Sequence, residues 1–207
     1  KTLIRTSRLY ADMRNATHYG AQIPDDIRVD FAAVMERVRR IRSHLSRGDS
    51  ARRLTALGVD VFFGNACFTG TDALTVNDET LCFKKAVIAT GARPHIPSIP
   101  GLREAGCLTS ADIFKLTELP RRLLVIGGGP LGCELAQAYC RLGAHVTIVQ
   151  DKPLFLDREE RDAAQILSDA FARDGIEVRL NTDVVAIRVE NGQKLVDLVS
   201  DDYRNTI

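Results

Sequence analysis

Three glycines in the second half of the chain have the spacing of a phosphate-binding turn. Gly127, Gly129 and Gly132 match the pattern G-x-G-x-x-G, and the apolar run 123–126 comes directly before them. An apolar-periodic stretch follows and leads to a second apolar run that ends at Gln150. A strand, a glycine turn, a helix and a second strand in this order predict a site for the diphosphate of a dinucleotide. A purely structural turn is the alternative interpretation of the same glycines.

Each glycine of this pattern has its own physical task. We expect Gly127 to allow a tight turn out of the strand and Gly132 to let helix and strand pack closely. Gly129 would let the backbone approach a pyrophosphate because no Cβ stands in the way. Pro130 suits the first helical turn, where its missing N–H is no loss. The helix N-terminus would then offer free N–H groups and a partial positive charge to the diphosphate.

If the bound dinucleotide is NAD(H) or NADP(H), the residue at the end of the second strand distinguishes the two. An acid at this position accepts hydrogen bonds from the ribose hydroxyls, whereas nearby arginines accommodate a 2′-phosphate. Here Gln150 occupies the position and can still bond a ribose hydroxyl. Asp151 would oppose a phosphate and Lys152 would favour it, and no arginine follows before Arg158. Because a phosphate site normally uses a guanidinium fork, we expect NAD(H) rather than NADP(H).

Composition argues against several other kinds of partner and site. A net charge of +1 and a pI near 7.8 give no bulk attraction to nucleic acid or to a membrane surface. No apolar run approaches the roughly 20 residues of a membrane-spanning helix. Five cysteines without short paired spacings argue against a disulfide framework and a metal site, and they suit the reducing cytoplasm. Cys133 and Cys140 share one face of a predicted helix, so we expect core thiols.

The first part of the chain predicts helices followed by short strands. A helix over 30–47 would be capped by Asp30, ended by Gly48 and packed through an apolar stripe of Phe31, Val34, Val38, Ile41 and Leu45. Its arginines favour a solvated face over a nucleic-acid site. A second helix would end at Gly58. The runs VDVFFG, ALTVND, TLCFKK and AVIATG then predict strands, with a tight turn at Asn77-Asp78.

A domain boundary is expected near Pro120, which separates residues 1–120 from residues 121–207. After the glycine unit, a helix over about 158–174 is closed by Gly175, and its apolar residues are Ala163, Ile166, Leu167, Ala170 and Phe171. IEVRL and DVVAIRVE predict strands, and Asn191-Gly192 predicts a type I′ turn into the strand KLVDLVS. Alternating strands and helices followed by a hairpin indicate the α/β fold class.

Two segments taken together resemble a known enzyme family. AVIATGARPHIPSIPGL, followed some 20 residues later by LLVIGGGPLGCELA, is similar to the double signature of the pyridine nucleotide-disulfide oxidoreductases. These FAD enzymes include lipoamide dehydrogenase, glutathione reductase and mercuric reductase. The resemblance implies that residues 1–120 are the remnant of an FAD-binding domain and residues 121–207 a Rossmann-like NAD(P)H domain. It also explains why the glycine loop lies late in the chain, since it belongs to the second nucleotide site.

The resemblance assigns further cofactor-binding positions. The segment around Ala66 resembles the one that touches the adenine of FAD, and Thr90 and Gly91 would add secondary flavin contacts. KTLIR is similar to the residues just after the family's redox motif C-x4-C-x-P-S-K, so Lys1 matches the lysine of that motif. Glu134 matches the glutamate that pairs with this lysine beside the flavin. An ordinary acid favoured by the helix dipole is the alternative interpretation of Glu134.

The implied activity belongs to a longer parent enzyme. Hydride would pass from NAD(P)H to FAD, then to a cysteine pair, and finally to a disulfide or a mercuric ion. The parent would be a homodimer, and KTLIRTS and LAQAYCRLGAHVTIV favour mercuric reductase-like members. This chain lacks the first FAD glycine motif, the cysteine pair and the catalytic His-Glu pair, and none of its four histidines suits catalysis. We therefore expect an inactive internal piece of roughly half the parent's length; a non-catalytic NAD(P)H-sensing module is the alternative.

Overall fold

The predicted alternation of strands and helices is present in the computed structural model, which describes residues 1–24, 26–200 and 203–207. The chain divides into two compact units. The larger unit contains residues 1–38 and 95–207, and the smaller unit contains residues 39–94. The position near Pro120 lies inside the larger unit, and a functional division of the chain at that point stays a prediction.

A three-stranded parallel sheet carries the glycine turn. Its strands are β4 (Arg122–Ile126), β5 (His145–Val149) and β6 (Glu177–Arg179), in that order. Helix α4 (Pro130–Arg141) connects β4 to β5, and helix α5 (Arg161–Asp174) connects β5 to β6. Parallel neighbours need such crossovers, because the chain must return to the starting edge before it can form the next strand. This is the predicted α/β arrangement, with the glycine turn between β4 and α4.

The core of the larger unit surrounds helix α4. Tyr139 and Ala136 are fully buried on this helix, and Ile148 of β5 is buried beneath it. The Tyr139 hydroxyl donates a hydrogen bond to the Ile113 carbonyl over 3.0 Å, which satisfies its polar atom inside the core. Burying one large apolar side chain stabilises the fold by about 1.5–3 kcal/mol, so this helix face is a major source of stability.

An N-terminal helix that sequence reasoning had not identified packs on the same core. Helix α1 (Thr2–Arg14) lies against α4 and buries Leu3 and Ser7. The Ser7 hydroxyl donates to the Ile4 carbonyl, as a buried hydroxyl requires. Helix α1 has a weak apolar periodicity, and its packing on α4, rather than its own pattern, decides which face is buried.

Helix α2 (Phe31–Gly48) agrees with the prediction in position and cap. The Ala33 N–H donates to Asp30 Oδ1 over 2.9 Å, so Asp30 is the N-cap. Phe31 packs against Tyr139 with ring centroids 5.8 Å apart, and Val38 is also buried. The predicted apolar stripe is wrong at its end, because Leu45 is 60% exposed. Residues 39–48 of this helix belong to the smaller unit.

An antiparallel sheet completes the larger unit. Its strands are β7 (Thr182–Glu190), β8 (Gln193–Ser200) and β9 (Arg204–Thr206). Asn191 and Gly192 both have positive φ, 51° and 75°, which confirms the predicted type I′ turn. Segment 96–107 packs on this sheet through a second core cluster that includes Leu102 and Leu198.

The smaller unit contains helix α3 (Ala51–Ala56) and a three-stranded antiparallel sheet of β1 (Ala66–Phe68), β2 (Ala73–Val76) and β3 (Glu79–Cys82). The turn at Asn77-Asp78 is confirmed. The strands predicted over VDVFFG and AVIATG are wrong, since neither run is a strand. Val87 and Ile88 are 91% and 73% exposed. A buried strand needs a hydrogen-bonded neighbour, and no strand in the described part of the chain lies beside these runs.

Helix α5 begins later than predicted, and its buried face only partly matches the predicted one, since Phe171 is buried as expected and Leu167 packs against the core. It starts at Arg161 and ends at Gly175, whose φ of 80° confirms the predicted C-cap. Ala164 and Phe171 are buried, whereas Ala163 is exposed and Ile166 is 70% exposed. Both faces satisfy helical spacing, so periodicity alone could not select between them. Of the helices in the described ranges, none has the length and apolarity needed to cross a membrane.

Candidate nucleotide-binding site

The turn between β4 and α4 has the conformation that its glycines predict. Gly127 adopts a φ of 101°, a conformation that side chains disfavour, and its N–H bonds to the Val149 carbonyl over 2.8 Å. Gly129 is the N-cap of α4, and Pro130 is the first helical residue. The chain therefore leaves β4, turns sharply at Gly127 and enters the helix within three residues.

The glycines differ in what a side chain would meet. A Cβ on Gly132 would lie 2.7 Å from the Gly127 carbonyl oxygen and 3.2 Å from Val125 Cγ1. This agrees with the predicted close packing of helix and strand. A Cβ on Gly129 would meet no atom within 4 Å, so nothing in the chain itself requires glycine there. The space in front of Gly129 is open.

Backbone donors face this open space from the first turn of α4. The first helical hydrogen bond runs from the Cys133 N–H to the Gly129 carbonyl over 3.0 Å. The N–H groups of Leu131 and Gly132 precede it and belong to the donors that a helix start leaves without intrahelical partners. Together with the helix dipole, such donors favour a bound anion. The turn can therefore hold a diphosphate.

Sequence reasoning missed the structural role of the middle glycine. The Gly128 N–H donates to Gln150 Oε1 over 2.7 Å, and its carbonyl accepts from the Leu156 N–H over 2.9 Å. A Cβ on Gly128 would lie 2.8 Å from Phe155 Cβ. The signal in the sequence was the second of three consecutive glycines, at the position that the G-x-G-x-x-G pattern leaves free.

The side chain of Gln150 points into the protein. Only 7% of this residue is exposed, and its carbonyl oxygen is already bonded to Gly128. The hydrogen bond from Gln150 to a ribose hydroxyl stays a prediction, and Oε1 reaches the glycine turn instead. Asp151, the next residue, is exposed at the end of β5.

The segment after β5 folds back over the turn. Leu156 is buried with a φ of 51°, a conformation that costs a non-glycine residue on the order of 1 kcal/mol. Arg161 holds this backbone in place, since its guanidinium donates to the carbonyl groups of Phe155, Leu156 and Glu159. Phe155 in turn stacks on Phe171 of α5 with ring centroids 5.9 Å apart.

The cations near the end of β5 are largely engaged. Lys152 forms an ion pair with Asp157, and this hydrogen bond lowers the pKa of the Asp157 carboxyl. Arg179 of β6 pairs with Glu177 over 2.7 Å, which lowers the pKa of Glu177. Arg158 is exposed. The charge that Lys152 could offer to a phosphate is therefore shared with a carboxylate.

The thiol next to the turn is a core group. Cys133 is 2% exposed and its Sγ lies 3.6 Å from the Gly128 carbonyl oxygen. Burial raises the pKa of this thiol to about 11, so it stays neutral at physiological pH. Cys140 is half-buried and donates to the Asp174 carbonyl over 3.1 Å. These positions agree with the prediction of core thiols.

Lys1 and Glu134 do not form the ion pair that the resemblance implied. Lys1 precedes α1, Glu134 lies on α4, and both are exposed. The ion pairs found among the described residues do not include Lys1 or Glu134, although α1 and α4 pack together. Cys133 and Ala136 turn the buried face of α4 inwards, which leaves Glu134 in solvent. Roles for Lys1 and Glu134 beside a flavin stay predictions.

The other flavin positions lie in the smaller unit. Ala66 begins β1, is exposed and pairs with Val76. Thr90 and Gly91 are exposed and lie outside any strand, and Gly91 has a φ of 71°. Their contacts with FAD stay predictions. Across the described residues, no group of His, Cys, Asp and Glu side chains is arranged to hold a metal ion.

The sequence is similar to those of dihydrolipoyl dehydrogenases, glutathione reductases and mercuric reductases. A dihydrolipoyl dehydrogenase of Chlorobaculum parvum is 29% identical over 208 residues, which are 97% of this chain and 44% of that protein. A glutathione reductase of Burkholderia cepacia is 33% identical over 151 residues, or 73% of this chain and 33% of that protein. A mercuric reductase of Shigella flexneri is 37% identical over 139 residues, or 65% and 24%. The chain thus spans less than half the length of these relatives.

The fold is shared with a solved flavoprotein. The Cu(II) complex of the HOCl-induced flavoprotein disulfide reductase RclA from Escherichia coli matches with a TM-score of 0.75 and 27% identity. The match covers 100% of this chain and 43% of that chain. The family model described as pyridine nucleotide-disulphide oxidoreductase matches residues 9–206. Because that match covers nearly the whole sequence, the chain belongs to the pyridine nucleotide-disulphide oxidoreductase family.

Proposed function

We propose that this chain provides the NAD(P)H site of a flavin-dependent reductase whose substrate is a disulfide, another small molecule or a mercuric ion. The open space before Gly129 carries the proposal, because it adjoins the free N–H groups of Leu131 and Gly132. The residues fit a diphosphate: the backbone can approach it closely, and the positive end of α4 points at it. When bound, the nicotinamide would supply the hydride for the flavin chemistry of the parent enzyme.

We propose NADH as the preferred cofactor. Asp151 is exposed at the end of β5, where a carboxylate can accept from ribose hydroxyls and repels a 2′-phosphate. Lys152 is paired with Asp157, and Arg179 is paired with Glu177. A phosphate would have to compete with these carboxylates for its cations, whereas a ribose hydroxyl needs no cation. Arg158, which is exposed near this edge of the sheet, is the exception to this pairing.

We propose that the whole protein also uses FAD, whose contacts would include Lys1, Glu134, Ala66, Thr90 and Gly91. The protein would work as a homodimer, without nucleic-acid or membrane partners, on a small-molecule or disulfide substrate. All five cysteines are free, which suits the reducing cytoplasm.

Calorimetric titration of NADH into the chain tests the nucleotide site. Gly129→Val should abolish binding and leave helix content by circular dichroism unchanged, because the new side chain occupies ligand space and meets no atom of the chain within 4 Å at its Cβ. Gly70→Val is the matched control, since its Cβ would make only an ordinary contact at 3.7 Å with Asp72. Binding that survives Gly129→Val would show that the turn is not a diphosphate cradle.

A further inference from the structure

Both polar groups of Gly128 are used inside the protein. Its N–H bonds to Gln150 Oε1 over 2.7 Å, and its carbonyl bonds to the Leu156 N–H over 2.9 Å. The middle glycine of the turn therefore offers no donor to a ligand. Its neighbours Gly129, Leu131 and Gly132 remain as the donors that can meet a diphosphate. The orientation of their N–H groups depends on how Gly128 is held.

Further contacts fix Leu156, whose N–H is bonded to the Gly128 carbonyl. Leu156 has positive φ and persists in this conformation only because its surroundings maintain it. Its N–H is bonded to Gly128, and its carbonyl accepts from Arg161. Arg161 also donates to the carbonyls of Phe155 and Glu159. One guanidinium thus fixes three peptide groups of the segment that covers the turn, a task for which its planar fork is suited.

We propose that Gln150 and Arg161 are positioning residues for the nucleotide and that neither selects between NADH and NADPH. Gln150 would act through Gly128 from the strand side, and Arg161 would act through Leu156 from the opposite side. This inference rests on the proposed NAD(P)H site. It differs from the role that the strand-end position assigns to residue 150, because the Gln150 side chain is buried and its oxygen is already bonded to the turn.

The expected signature is an equal loss of affinity for both cofactors. If Gly128 loses its hydrogen bonds, the turn spends less time in the conformation that binds a diphosphate. The apparent affinity for a dinucleotide then falls in proportion to the fraction of time that the turn spends in this conformation. The diphosphate is common to NADH and NADPH, so both affinities fall by the same factor. A residue that reads the ribose would instead change the ratio of the two affinities.

Titration of NADH and NADPH into the full chain and its variants tests this prediction. Gln150→Met keeps the length of the side chain but removes the acceptor, and we expect both affinities to fall about tenfold with their ratio unchanged. Arg161→Lys keeps the charge but loses the fork, and we expect the same pattern with about a threefold loss. Arg173→Lys is the control, because Arg173 is exposed in the last turn of α5, at the other end of that helix from Arg161, and should leave both affinities unchanged.

Hydrogen exchange supplies a measurement that separates positioning from general destabilisation. In the wild-type chain the Gly128 amide should be protected, and Gln150→Met should expose it while the amides of β5 stay protected. Gln150→Glu keeps an acceptor oxygen at the same place and should restore the protection of the Gly128 amide. This variant also keeps the shape of the native side chain, so the test remains decisive if Gln150→Met fails to fold.

The outcomes distinguish the two hypotheses. Unchanged NADH affinity in Gln150→Met, or an altered NADH-to-NADPH ratio in Gln150→Met or Arg161→Lys, would overturn the positioning role and leave the nucleotide site intact. Failure of the wild-type chain to bind either cofactor would overturn the proposed function and this inference with it. An unprotected Gly128 amide in the wild-type chain would overturn the inference regardless of cofactor binding.

Discussion

The Cβ position of Gly132 lies 2.7 Å from the carbonyl oxygen of Gly127, closer than real side chains approach a backbone oxygen. The first and last glycines of the turn therefore touch across it. Gly129, between them, faces open space. The motif thus contains one glycine that the fold requires for packing and another that only a ligand would require.

Gly132→Ala should destabilise the chain, whereas Gly129→Ala should not. The new methyl group at position 132 must displace the Gly127 carbonyl or Val125, and we expect a loss of about 1–3 kcal/mol in the free energy of unfolding. Urea denaturation followed by circular dichroism measures both variants. Equal stability of the two variants would contradict the separate roles of these glycines.

Gly101→Ala should cost more stability than a positive φ alone explains. A Cβ on Gly101 would lie 1.8 Å from the Ile187 carbonyl oxygen, and the Ile187 N–H bonds to the Pro100 carbonyl over 2.8 Å. Gly106 is the matched control, because its φ of 69° resembles the 76° of Gly101 but its Cβ would meet nothing within 4 Å. We expect Gly101→Ala to lower the free energy of unfolding by at least about 2 kcal/mol more than Gly106→Ala. A smaller difference would mean that segment 96–107 can shift to make room for the new methyl group at little cost in the free energy of unfolding.

The chain should lose stability in alkaline solution, in part through the two buried groups whose pKa values are raised most. Burial raises the pKa of Cys133 from 9.0 to about 11 and the pKa of Tyr139 from 10.0 to about 12. Each group keeps its proton longer in the folded chain than in the unfolded chain, so its stabilisation is complete below pH 9.0 and is lost as the pH rises through the folded-state pKa. Urea midpoints measured between pH 8 and 11 should therefore fall.

Cys133→Ala should flatten this pH dependence between pH 9 and 11, because one of the titrating groups is removed. The comparison uses the slope of the urea midpoint against pH and not the absolute stability, since the substitution also leaves a small cavity. Cys67→Ala is the control, as Cys67 is exposed. An unchanged slope in Cys133→Ala would show that the buried thiol does not contribute.

Asp157→Asn should raise the affinity for NADPH more than the affinity for NADH. The substitution removes the carboxylate that pairs with Lys152, so the ammonium becomes available to a 2′-phosphate. Exposed ion pairs are worth at most about 1 kcal/mol, so we expect a gain of about two- to fivefold, measured by titration of both cofactors. Adding Lys152→Met to the variant should cancel the gain. A gain that persists in the double variant would place the phosphate elsewhere.

Local patterns in the sequence determined much of the fold. Asp30 and Gly175 marked helix ends, Asn77-Asp78 and Asn191-Gly192 marked hairpin turns, and the glycine spacing located the nucleotide unit between β4 and β5. These signals are reliable because each depends on a few neighbouring residues. Caps and turns are satisfied by hydrogen bonds and φ angles within three or four positions, and those requirements are written in the residue types.

Tertiary structure decided what depends on distant partners. Periodicity could not choose the buried face of α5, because Ala164 and Ile166 both fit the helical repeat and only packing favours Ala164. The AVIATG run has the composition of a buried strand, but a strand exists only where another strand satisfies its backbone. The same holds at the site. Gly128 and Gln150 are 22 positions apart, and Arg161 acts on the turn through Leu156. Which polar groups face the ligand and which face each other is fixed by contacts between segments, and no local pattern encodes them.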